Sequence, residues 1–182
     1  MRRQARKFEE SERVIADRER ARERTMNRAV KLLAAKPRSV AELRERLLEK
    51  PWTDSEIVDR VLEKLKEYNY LNDDQFAKEV ATSKLRQRPQ GRRRLQFAMS
   101  QKKIDKETAE AAVREAFEKF PEDGLIDLAI ERRLRSKGMP QSREDLKKLY
   151  DHLLRQGFGF ELVRSKLNSL PRSGDIDEIE AI

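Results

Sequence analysis

PRSVAELRERLLEKPWTDSEIVDRVLEKL, residues 37–65, decides the fold. Ser39 followed by Glu42 is a capping-box pattern, in which a hydroxyl accepts from a helical N–H and a carboxylate reaches back. Leu43 and Leu47 then lie one turn apart on one face of the helix so opened. Thr53 with Glu56 repeats the box, and Ile57, Val61 and Leu65 make the apolar stripe of the next helix. Cap, stripe and breaker agree at each boundary. Alternating strand-like runs of Val, Ile and Thr are missing from the sequence.

Outward from this stretch the same pattern returns. Leu43, Leu47, Trp52, Ile57 and Val61 map onto Leu95, Met99, Ile104, Ala109 and Val113 after a shift of 52 residues. A further shift of 54 gives Leu149, Leu153, Phe158, Val163 and Leu167. Each set spells helix, short turn anchored by one bulky residue, helix, and each follows a further helix at 25–36, 73–87 or 122–136. Helical sequences match one another readily at heptad-like spacing, but a turn residue kept in register through three copies makes chance a poor explanation. The expected fold is all-α: three tandem three-helix repeats, 25–71, 72–121 and 122–171, in an elongated array. Such arrays offer an extended surface rather than a deep pocket. Residues 1–24 mix Arg and Glu with Phe8, Val14 and Ile15 as their bulky apolar groups. That is too little to bury a face, and they read as a frayed helix or a disordered charged arm; a basic arm touching nucleic acid is the weaker reading, because acids are interspersed. The acidic end, 172–182, reads as a flexible tail that could fold back on a basic surface.

Composition narrows the function. Of 182 residues 42% are charged and 6% aromatic, so locally packed helical units fit better than one large core. No window approaches the ~20 apolar residues of a membrane span, and charges interrupt the N-terminus where a signal core would lie. The lack of cysteine excludes disulfides and thiolate metal ligands and fits a reducing cytoplasm. No Gly-rich phosphate loop or dinucleotide turn occurs. His152, the single histidine, has no cysteine or second histidine to share a metal with and reads as a packing or helix-surface residue. Asp73 and Asp74 sit beside Asn72 and Gln75 at a helix start, where capping and the helix dipole account for them. With no nucleophile set beside a base, the chain reads as a binding protein, not an enzyme, with no cofactor and no metal.

Its target is suggested by charge. Lys and Arg number 42 against 34 Asp and Glu, a net of +8. Between Val80 and Ile104 no acid occurs, while Lys84, Arg86, Arg88, Arg92, Arg93, Arg94, Lys102 and Lys103 do. A localised surplus of this kind is the footprint of a polyanion-binding surface. At about 100° per residue, Phe76, Val80 and Ala81 point inward on helix 73–87 and Arg86 points away. Lys84 falls on the apolar side, either as a snorkelling lysine or as one held by an acid from another helix. On the following helix Leu95 and Met99 point inward and Phe97 outward, one turn from Arg93. Such an aromatic suits base stacking or a protein contact, although packing on an adjacent repeat is its more ordinary use. Pro89-Gln90-Gly91 makes the tight connection between the two helices. These eight cations and Phe97 form the candidate site. Arg132, Arg133, Arg135 and Lys137 give a lesser basic cluster.

PRSVAELRERLLEK in the first repeat, YLNDDQFAKEV and RQRPQGRRRLQ in the second, and LLRQGFGFELVRSKL in the third resemble the bacterial regulatory protein RecX family. The resemblance runs from about Thr25 to Leu170. It departs at Lys84, where the family often has Arg, at Ala98, where it often has Glu, and at Lys102-Lys103, where a Lys-Gly turn is common. The resemblance implies a RecA partner, bound along the groove of the RecA–DNA filament. It implies inhibition of filament growth, ATP hydrolysis, strand exchange and coprotease function in recombination, repair and the SOS response. It implies no catalytic residue, and a monomer is the expected state. The alternative is a stand-alone DNA-binding protein, single- or double-stranded, built from helix-turn-helix-like repeats.

Overall fold

The computed structural model describes residues 8–171. After a short 3-10 turn at Glu10–Glu12, the described residues form α1 (Arg18–Ala35), α2 (Val40–Leu48), α3 (Ser55–Glu67), α4 (Asp73–Gln87), α5 (Arg92–Ser100), α6 (Lys106–Lys119), α7 (Glu122–Lys137), α8 (Arg143–Arg155) and α9 (Phe160–Asn168). No strand occurs among them. The fold is all-α, and its helices come as three successive triples. They gather into two compact units, residues 8–77 with 101–108 and residues 78–100 with 109–171. The middle triple is thus divided between the units.

In the first unit α1, α2 and α3 pack against one another. Their core is Ala29, Leu43, Leu47, Val58, Val61, Leu62, Leu65 and Leu71, with Met26, Leu32 and Leu33 against it. Ser39 caps α2 as the capping box requires, its Oγ accepting from the Glu42 N–H at 3.1 Å. The cap of α3 is Asp54 rather than Thr53: Asp54 Oδ1 accepts from the Ile57 N–H at 2.7 Å. Thr53 is buried instead, and its Oγ1 accepts from Thr25 Oγ1 at 2.9 Å. A carboxylate stabilises the positive end of a helix better than a hydroxyl, which frees the threonine for an interhelical bond.

The reading of 1–24 as a frayed helix or disordered arm needs correction for its described part. α1 starts at Arg18, where Asp17 accepts from the Arg20 N–H at 3.1 Å. Ala21 and Thr25 are buried. Upstream, the Arg13 guanidinium donates to the carbonyls of Lys50 and Thr53 at 3.1 and 2.6 Å. Counting bulky groups missed this because the buried face of α1 is made of small residues, and the anchor is a guanidinium bonded to main-chain carbonyls. Residues 1–7 and the acidic tail, 172–182, lie outside the described residues.

In the second unit α7, α8 and α9 pack together. Gly138, at a φ of +78°, ends α7, and Ser142 Oγ caps α8 by accepting from the Asp145 N–H at 3.2 Å. The repeat register holds in burial. Leu43, Leu47, Ile57 and Val61 are buried in the first repeat, Leu95, Met99, Ile104 and Val113 in the second, and Leu149, Leu153, Phe158, Val163 and Leu167 in the third. The half-buried exceptions are Ala109 and the turn residue Trp52.

Candidate functional site

α4 begins under Asn72, whose Oδ1 accepts from the Gln75 N–H at 3.0 Å. Asp73 does not cap its own helix. Its Oδ1 accepts from the Val40 N–H at 2.9 Å and so caps α2. Burial holds the Asp73 pKa above the ordinary carboxylate value, against the opposing pull of the Val40 bond. Further along, Ala81 and Leu85 are buried, Lys84 is half-buried and Arg86 is exposed. The Arg86 guanidinium lies 6.0 Å from the Phe120 ring centre. It shares a groove with Lys78, Glu115 and Lys119. Hydrogen bonds from Lys119 and Lys78, each 2.8 Å long, lower the Glu115 pKa to about 2. That carboxylate pairs with both lysines, while Arg86 lies beside the Phe120 ring.

The link to α5 is set by glycine. A Cβ on Gly91 would fall 2.2 Å from the carbonyl carbon of Gly157 and 2.3 Å from the Phe158 nitrogen. Gly157 itself adopts a φ of +89°, and a Cβ there would lie 2.4 Å from the Arg94 nitrogen. The two main chains therefore touch. Gly91 N–H donates to the Gln156 carbonyl at 2.9 Å, and Arg93 N–H to the Gly157 carbonyl at 3.3 Å. This contact docks the start of α5 on the turn between α8 and α9.

Docking sorts the arginines. Arg94 is a structural contact, its Nη1 donating to Gln156 Oε1 at 2.7 Å. Arg92 places its guanidinium 4.7 Å from the Phe117 ring centre, while its main-chain N–H donates to Glu122 Oε1 at 2.9 Å. Arg93 is exposed, and Phe97, one turn on, is 64% exposed. The outward direction of Phe97 follows the helical spacing, and within its own unit the ring stays uncovered. Arg88 lines a cleft with Arg132, Arg133, Ser136, His152 and Gln156. Burial first, and then the charges of Arg133, Arg155 and Arg94, lower the His152 pKa below the ordinary imidazole value.

Lys102 and Lys103 lie elsewhere. They belong to the first unit, where Lys102 Nζ is 3.2 Å from Glu42 Oε1 and Lys103 Nζ pairs with Glu45. The lack of neighbouring acids in the sequence does not leave these two unopposed, because α2 supplies the acids. Sequence reading also missed Glu122, Gln156 and Phe117 as partners of the arginines. One signal was present: the Gln-Gly pairs at 90–91 and 156–157 are the two sides of the main-chain contact. Among the described residues no cluster of His, Asp or Glu is arranged to hold a metal ion, and no helix is long and apolar enough to cross a membrane.

Residues 26–65 match the description RecX, first three-helix domain, and residues 72–113 match RecX, second three-helix domain. The regulatory protein RecX of Prosthecochloris aestuarii is 31% identical over 147 residues, covering 81% of this chain and 93% of its own length. That of Pelodictyon phaeoclathratiforme is 29% identical over 153 residues, covering 84% of this chain and 92% of its own. The crystal structure of RecX from Lactobacillus salivarius shares the fold, with a TM-score of 0.71 at 18% identity across 84% of this chain and 99% of that one. Two three-helix domains matched in order, a relative aligned along nearly its whole length and a shared fold lead to one conclusion: the chain belongs to the regulatory protein RecX family.

Proposed function

We propose that this chain binds RecA assembled on DNA and restrains it, limiting filament growth, ATP hydrolysis and strand exchange without catalysis of its own. Membership of the RecX family supports a RecA partner. The observation that carries the choice of surface is Phe97, a large apolar ring 64% exposed one turn from an exposed arginine. Exposed aromatic and arginine side chains are the residue types that anchor protein interfaces and stack on bases. Arg86, Arg88, Arg93 and Phe97 are assigned to contact, while Arg92 and Arg94 hold the surface in shape. Lys84 contributes charge from the flank of α4, and Lys102 and Lys103 are assigned to the first unit's ion pairs.

Co-sedimentation tests the partner. The chain is expected to pellet with RecA filaments formed on DNA at concentrations where the same DNA without RecA leaves it in the supernatant. Equal pelleting with bare DNA would favour a stand-alone DNA-binding protein.

A further inference from the structure

α1 carries a second basic surface, in the first unit. Arg20, Arg24, Arg28 and Lys31 line one cleft of about 550 Å³ together with Trp52. Their spacing of four, four and three residues sets them along one face of the helix, with steps of about 6 Å between the arginines. Against these four cations the cleft sets one acid, Glu23. Like charges held a helical turn apart repel, so the surplus favours an anion from outside.

The chemistry of that acceptor is constrained. The Arg24 guanidinium lies 3.7 Å from the Trp52 ring centre and covers that face. The ring is thereby taken up by a cation, and a guanidinium donates and never accepts. The donors therefore suit an anionic oxygen rather than a stacked base. A bound peptide would bring main-chain N–H groups that need acceptors, and of the polar residues lining the cleft, Glu23 and Asn27 alone carry acceptor oxygens. A phosphodiester strand brings acceptors without N–H donors in its backbone. Its neighbouring phosphates are also spaced comparably with one helical turn of arginines.

We infer that the α1 cleft, built by Arg20, Arg24, Arg28 and Lys31 beside Trp52, binds the sugar-phosphate backbone of a single nucleic-acid strand. This site is separate from the surface of α4 and α5, and the inference does not depend on RecA. It gives the first unit its own grip on nucleic acid.

Trp52 is the sole tryptophan, so its emission reports this cleft. The full chain is titrated with an oligo-dT strand at several salt concentrations, without RecA. The expected result is a saturable change in Trp52 emission whose affinity falls with salt. Arg28→Gln and, separately, Lys31→Gln should each weaken binding about threefold to tenfold and lower the salt slope by about 0.7. Lys31 is exposed, so its substitution tests the site even if the Arg28 variant folds poorly. Three results would overturn the inference. They are oligo-dT binding seen by anisotropy with Trp52 emission unmoved, no binding at low salt, or an equal Trp52 response to a poly-glutamate peptide, which would assign the cleft to an acidic protein segment.

Discussion

Gly91 and Gly157 show how much one hydrogen atom decides. Any Cβ at Gly91 meets main-chain atoms at 2.2 Å, and main chain cannot rotate aside as a side chain does. Gly91→Ala should therefore destabilise the chain by about 3 kcal/mol or more, read by urea denaturation. Gly124 is the internal control. It lies in the first turn of α7 with nothing within 4 Å of a Cβ and no positive φ. Gly124→Ala should stabilise by about 0.5–1 kcal/mol through lost freedom in the unfolded chain. At this scale helical spacing was a sound guide to direction, placing Phe97 and Arg86 outward and Leu95 and Met99 inward. It was no guide to partners. Lys102 meets Glu42 from 60 residues away and Lys103 meets Glu45 from 58, and nothing in a local pattern contains such pairings.

Among the helices, α1 departs furthest from a reading by apolar stripe. Its first two turns carry a run of charges, yet Asp17 starts the helix and Thr25 joins it to Thr53. Burial of Ala21 and the Arg13 bonds to the chain before α3 hold it in place. Removing residues up to Arg24 should lower the melting temperature by several degrees and reduce the helical signal beyond the loss of the deleted residues. A detached arm would leave the melting temperature unchanged. The other eight helices were legible because their stripes, and for several of them their caps, are local: Ser39, Asn72 and Ser142 each sit where a side-chain oxygen meets the third N–H onward. Asp54 in place of Thr53 marks the limit of that reading, since both residues are competent caps and Thr53 is engaged by the Thr25 hydroxyl instead.

The whole molecule distributes its charge differently from its sequence. The run from Lys84 to Lys103 is continuous along the chain, but folding assigns its last two lysines to the first unit and pairs them with glutamates. Arg92 and Arg94 are occupied with Phe117 and Gln156. Arg86, Arg88, Arg93 and Phe97 are left exposed in the second unit, and α1 provides a further basic cleft in the first. We propose that these exposed second-unit residues restrain RecA. That restraint is tested most directly by the DNA-dependent ATPase of RecA in the presence of a variant carrying Arg86→Glu, Arg93→Glu and Phe97→Ala, with helical content checked by circular dichroism. The account predicts that this variant, folded as the parent, loses at least about tenfold in inhibitory potency, equivalent to about 1.4 kcal/mol of binding. Full inhibition by a folded variant would contradict it.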